Sequence, residues 1–443
     1  MTALTDRRAL AGDAEKGFLS HWFQPKTLAG VAPILVILGP YVAGPVRIEH
    51  LVIYGFLAIG ALSRNRFVRL VPGPVVIVSL LVIPLLVSAL GTAVLSTEVS
   101  FARPTGALAA ADNWLLPAAT VLLGASWLTI ENWDVLLRRV CLSTVIALAT
   151  NTFITIFQAT SSGEADAFLA PFWTSDRNLE GFTVAQSAAS GGRFSGVFNQ
   201  PAEAGIAYSI GLFMCLYLAL VLPKKWPYWS TLSGLMVLGG TLATSKILLL
   251  FALPVFLVSV MLMLKRLKLF ALGLSFPLVA FTLLGERVSW SLDRLGVYFS
   301  SYSLFDASGV TAGRWGTGTS STGTLFQVLE INPLLGLGLN YFGGSSDSEW
   351  VRLIGQSGLI GIGCFIAIIF VFVARLMRNA TGLSQAARWL AGVLLALVVA
   401  SSFGLPTLSA NKAGAILSMV LSITLCGTAI ALTGKRSKPR RSI

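Results

Sequence analysis

The chain has 443 residues, of which 55% are apolar and only 12% charged, with a mean hydropathy of +0.79. A soluble protein carries about a quarter charged residues, so these values exclude a soluble domain and indicate a polytopic membrane protein. Net charge is +13, which by itself would suit nucleic acid, but its distribution along the chain makes it a topology signal instead.

Only helices and closed barrels satisfy their backbone in lipid, and apolar runs of about 20 residues are helices. Apolar spans are predicted near 28–44, 46–62, 70–95, 113–130, 140–160, 203–222, 229–246, 247–264, 269–285, 353–374, 387–405 and 411–433. No apolar stretch precedes Lys26, so no cleavable signal peptide is expected. With the N-terminus inside, the inner connections and the two tails carry 22 of the 32 cations against five of the 19 acids. That is a strong positive-inside pattern, and the basic side suits anionic head groups rather than nucleic acid.

The expected fold is therefore an all-α polytopic membrane protein of about twelve transmembrane helices with two long extracytoplasmic loops. Residues 1–443 form a single membrane domain. Within it, 1–27 is a cytoplasmic tail, 161–202 the first outer loop, 286–352 the second and 434–443 a basic cytoplasmic tail. No repeat of fixed period, low-complexity linker or soluble module interrupts it.

In chain order, the first ionisable candidate is His50, the one histidine assigned to the outer side. Cys141, Cys215, Cys364 and Cys426 fall singly in apolar spans, which suits small buried hydrophobes and gives no metal-ligand spacing. Arg193 stands in GGRFSGVFNQPAEAG, just before the sixth span. A glycine-rich turn at a helix start favours an anion, although an ordinary interfacial arginine has the same surroundings. Asn199 is a candidate cap ahead of Pro201, and Glu203 follows in the first helical turn.

Lys246 interrupts an apolar run that would otherwise cover residues 229–264, far longer than a span needs. A break at Thr244, Ser245 and Lys246 restores the charge parity, and a cation there is either functional or snorkelling to the interface. ERVSWSLDRLGVYFSSY sets Val288, Leu292, Leu295 and Phe299 at helical spacing, as in an interfacial helix. Arg287 and Arg294 in that segment are lesser cation candidates. Arg314 lies upstream of INPLLGLGL, and arginine grips phosphate through paired N–H bonds. Asp347 and Glu349 precede the tenth span. A carboxylate there suits proton acceptance from a hydroxyl or contact with sugar hydroxyls, and equally a helix start, where acids and serines cap the first turn.

Taken together, Arg193 with FSGVFNQP, Thr244-Ser245-Lys246, Arg314 upstream of INPLLGLGL, and DSEWVRLIGQSGLIG resemble the O-antigen polymerase and O-antigen ligase superfamily. The resemblance covers roughly residues 190–365. It implies a GT-C-like membrane fold and an inverting, metal-independent glycosyl transfer with no cofactor, on glycans carried by polyprenyl diphosphate. It further implies that Arg193, Lys246 and Arg314 contact the diphosphate, with Arg314 also catalytic. Two departures stand out. Lysine replaces arginine beside Ser245, and the segment before the tenth span has no histidine, which leaves Asp347 as the nearest candidate base and turns the expectation toward a polymerase.

The expected function is polymerisation of lipid-linked repeat units into a surface polysaccharide at the outer face of the bacterial inner membrane. Asp347 and Arg314 are the expected catalytic residues, with Glu203 and Glu349 as sugar contacts. Expected partners are the lipid-linked glycan, membrane lipids, a flippase and a chain-length regulator. The alternatives are ligase-type transfer to another acceptor, a secondary transporter of an anionic substrate, and a non-catalytic partner of an export machine.

Overall fold

The computed structural model describes residues 24–43, 46–62, 72–95, 107–128, 131–173, 181–264, 275, 320–339, 348–377, 383–408 and 410–436. Among them are 14 α-helices and one short antiparallel hairpin. In order these are α1 (Pro25–Leu38), β1 (Tyr41–Ala43), β2 (Val46–Arg47), α2 (Ile48–Leu62), α3 (Pro72–Leu95), α4 (Ala107–Leu128), α5 (Trp133–Thr160), α6 (Ser162–Leu169), α7 (Val184–Ser190) and α8 (Pro201–Val221). The remainder are α9 (Trp226–Leu242), α10 (Leu253–Leu264), α11 (Ser320–Ile331), α12 (Glu349–Met377), α13 (Gln385–Ser401) and α14 (Asn411–Arg436).

Helices occupy the positions read from the apolar runs, except that 269–285 and the interfacial helix over 286–302 lie outside the described residues. Among the described residues, four helices are long and apolar enough to cross a membrane: Gly73–Val94, Trp133–Thr160, Pro201–Val221 and Glu349–Met377. Shorter apolar helices cover Pro25–Leu38, Ile48–Ile59, Leu248–Met263 and Gln385–Ser401.

The helices start where local chemistry allows. Asn132 caps α5 by accepting from the Asp134 N–H at 3.1 Å. Thr183 and Gln186 form a reciprocal capping box on α7, at 3.2 and 3.0 Å, and each satisfies an orphan N–H. One expected cap differs: α8 begins at Pro201 after Gln200, with no side-chain cap. Asn199 instead donates to the Tyr41 hydroxyl at 3.0 Å, because the loop ahead of the proline turns it toward the β-hairpin.

At the centre stands α8, buried at every residue from Glu203 to Ala219. A helix that is apolar all round belongs inside a bundle, and α5, α9, α10, α13 and α14 surround this one. Around that core, α1 packs on α5 and α2, while α4 packs on α14, α3 and α2. On the far flank, α12 packs on α3, α11 and α13. The apolar faces of α3, α5 and α12 point outward, with Leu86, Phe153 and Phe370 each more than half exposed, as lipid-facing positions require.

The break expected at Thr244 to Lys246 is present. Thr244 adopts φ 53°, its N–H donates to Thr241 O at 2.8 Å, and Ser245 N–H donates to Gly240 O at 3.1 Å. One π-helical turn, Leu248–Ala252, then leads into α10.

A second break was not expected. In α12, Gly358 takes φ 60° and ψ −153°, a region open essentially to glycine alone. The helical bonds lost there are replaced by the Asn332–Leu337 turn. Leu359 N–H donates to Pro333 O and Leu337 N–H to Gly355 O, both at 2.8 Å. The same turn is fixed to α3, where Leu339 N–H donates to Thr92 Oγ1 at 2.8 Å. The INPLLGLGL and QSGLIG motifs thus complete each other's backbone bonding.

A buried polar site at one end of the bundle

Contacts bring the C-terminal ends of α1, α3 and α13 together with the N-terminal ends of α2, α4, α8, α12 and α14. Arg138, Arg139, Lys224, Lys225, Arg375 and Arg388 sit on the opposite helix ends. The site lies at the other end, where Arg47, Arg193, Lys246, Arg352 and Lys412 stand among the carboxylates Glu49, Asp112, Glu203 and Glu349.

Its centre is the non-helical segment 193–200. Irregular backbone at membrane depth is tolerated only where protein supplies its bonds, and from Ser195 O to Val197 O side chains supply them. Asn151 Nδ2 donates to Ser195 O at 3.3 Å, and Gly196 N–H donates to Gln158 Oε1 at 2.9 Å. Gly196 O accepts from Trp173 Nε1 at 3.0 Å, and Val197 N–H donates to Asn151 Oδ1 at 2.9 Å. Ser195 Oγ closes the turn onto Phe198 O at 2.9 Å. Asn151, Thr155 and Gln158 form a polar stripe along α5, all fully buried.

This loop meets the Thr244–Lys246 turn. Phe194 N–H donates to Leu242 O at 2.9 Å, which sets the backbone beside Arg193 one turn from the break carrying Lys246. Ser245 also docks on α8, where a methyl group added to Gly205 would come within 2.3 Å of its Cβ. Arg193 and Lys246 are both half-buried, on two segments joined by one backbone bond. The other expected diphosphate contact, Arg314, and the expected base, Asp347, lie outside the described residues, as do Arg287 and Arg294.

Glu203 and Glu349 are buried at 2% and 1% exposure. Glu203 Oε1 accepts from the Lys412 N–H at 2.9 Å, joining the starts of α8 and α14. Glu349 pairs with Arg352, which also donates to Gln356 Oε1 at 3.2 Å and stacks 4.6 Å above the Trp114 ring. The sequence expectation set both carboxylates against sugar; in the structure Glu203 bonds across to the start of α14, while Glu349 pairs with Arg352 on its own helix.

A further charged group joins α2, α4 and the hairpin. Arg47 Nε lies 3.0 Å from Glu49 Oε1, and Asp112 accepts from His50 Nε2 at 2.8 Å and from the Tyr54 hydroxyl at 2.8 Å. His50 Nδ1 accepts from the Arg47 backbone N–H at 3.2 Å. Both ring nitrogens are therefore hydrogen-bonded within this group. Burial pushes the Tyr41 hydroxyl up to about 12, and this hydroxyl accepts from Asn199. Among the described residues, no three His, Cys, Asp or Glu side chains come together as a metal ligand set.

Sequence reasoning passed over Arg47, Asp112, Asn151, Arg352 and Lys412. Asn151 and Gln158 did carry a signal: polar amides inside a lipid-length run are costly unless they have buried partners. Lys412 and Arg352 are likewise charges at the starts of apolar runs.

The fold and this site define an all-helical membrane protein whose one end holds a cross-braced polar loop. Compared with models of known protein families and with curated proteins, the sequence matches none.

Proposed function

We propose that this chain is a membrane glycosyltransferase that joins polyprenyl-diphosphate-linked oligosaccharide repeat units into a surface polysaccharide. It works at the outer face of the bacterial inner membrane, with both termini cytoplasmic. A lipid-linked donor, surrounding lipids, a flippase and a chain-length regulator are its partners. The observation that carries this reading is the backbone bond from Phe194 N–H to Leu242 O at 2.9 Å. It joins the Arg193 loop to the Lys246 turn, two cation-bearing segments to which the resemblance assigns diphosphate contacts.

In this reading Arg193, Lys246 and Arg314 bind the diphosphate. A hydroxyl of the acceptor unit attacks the anomeric carbon, the bond from that carbon to the diphosphate oxygen breaks, and the configuration inverts. The hydroxyl proton passes to Asp347, and the cations neutralise the charge developing on the leaving diphosphate. Glu203 and Glu349 act by holding the starts of α8 and α12 in place.

The test uses purified full-length protein in liposomes with one polyprenyl-diphosphate-linked oligosaccharide, read by gel. A ladder of lengths that disappears in R193A and R314A supports the polymerase. A single-step shift that requires an added acceptor replaces it with ligase-type transfer. No product, together with uptake of an anionic solute, replaces both with a transporter.

A further inference from the structure

We infer that Lys412 is a positioning residue whose ammonium fixes the Arg193-bearing loop against the end of α1 and so sets where Arg193 stands. Lys412 is 4% exposed. Its Nζ donates to Ile37 O at 3.0 Å, Gly39 O at 2.9 Å and Val197 O at 3.1 Å. An ammonium has three N–H bonds, and all three are used on backbone carbonyls. This lysine therefore has no donor left for a substrate, unlike a lysine that meets phosphate.

Two of those carbonyls belong to the C-terminal end of α1, where Gly39 takes an extended conformation and the last carbonyls lack helical partners. A cation there also meets the negative end of the helix dipole. The third carbonyl, Val197 O, belongs to the loop. The Phe172 and Phe198 rings lie 5.6 and 6.0 Å from Nζ, which adds attraction for a cation in a place with little water. One charge thus ties α14, α1 and the 193–200 loop at a single point, four residues from Arg193. With Asn151, Gln158 and Trp173 it completes the bonding of every backbone group from Ser195 O to Val197 O.

The inference rests on the proposed diphosphate role of Arg193 only in its second readout. Hydrogen exchange is measured on the full-length protein in detergent, native against K412Q. The expected result is exchange at the Gly196 and Val197 amides faster by about tenfold or more, from the loss of a charge-assisted bond. Amides of α8 from Ile206 to Leu218 keep their protection. Affinity for polyprenyl diphosphate carrying no sugar falls in parallel.

Uniform acceleration through α8 means that Lys412 only holds the fold, and unchanged exchange at 196 and 197 removes the link to the loop; either result overturns the inference. If K412Q does not fold, K412R carries the test. It keeps the charge, but a planar guanidinium cannot aim three N–H groups at three converging carbonyls. Faster loop exchange in a folded K412R supports the inference, and native exchange there overturns it. Loosened loop amides with unchanged affinity support the hold of Lys412 on the loop and count against diphosphate at Arg193, so the two failures are separable.

Discussion

Asn151 on α5 stands where a side chain on Gly196 would have to be: a methyl group added to that glycine would lie 2.3 Å from Asn151 Oδ1. The amide uses this closeness to bond the loop from both sides, accepting from Val197 N–H and donating to Ser195 O. It also donates to the Tyr208 hydroxyl at 2.9 Å, so a single side chain joins α5, the loop and the central helix.

N151A removes those bonds and leaves buried partners unpaired, each costing about 1–3 kcal/mol. A total loss of roughly 2–5 kcal/mol is expected, seen as a lower midpoint of thermal unfolding in detergent. A midpoint equal to that of the native protein would show that the loop does not depend on this amide.

At the α12 bend, G358A is expected to destabilise strongly. Its Cβ would lie 2.4 Å from Leu334 O and 2.6 Å from Gly336 N, on top of about 1–3 kcal/mol of backbone strain. G363A on the same helix, with nothing within 4 Å of the added carbon, is the control. It is expected to be neutral or to gain up to about 1 kcal/mol. Equal unfolding midpoints for the two variants would contradict the bend.

The turn that carries Lys246 is fixed by shape. G205A would bring a Cβ within 2.3 Å of Ser245 Cβ, while Ser245 Cα stands at 3.6 Å. Adding S245G removes the closest atoms. The single variant is expected to lose folded yield and the double variant to recover most of it, scored by size-exclusion chromatography. No recovery would mean that α8 and this turn are not in contact.

Removing the guanidinium from the Glu349 and Arg352 pair strands a buried carboxylate. R352M alone is expected to cost about 3–5 kcal/mol, and pairing it with E349Q to restore part of that loss. Thermal unfolding of the double-mutant cycle reads the coupling, and additive losses would rule out a pair held by mutual charge.

Much of the architecture was legible in the chain. The apolar runs set where helices form, because lipid leaves a backbone no other local solution. The break before Lys246 showed as a cation in a run too long for one span. The bend at Gly358 did not show, since QSGLIG lies without a charge or proline inside the run read as one span over 353–374. Its cause is the Asn332–Leu337 turn, which supplies the missing bonds from elsewhere in the sequence.

The site divides in the same way. The sequence by itself determined an apolar helical chain with one basic side, and it marked the segments that carry Arg193 and Lys246. Only the tertiary structure decided that these segments meet, that Asn151, Gln158 and Lys412 bond one loop, and that Glu203 and Glu349 turn inward. Helix formation follows from contacts a few residues apart, which local composition records. A buried polar group instead finds its partner across the bundle, as Lys412 finds the carbonyl of Val197, and no local pattern encodes that pairing.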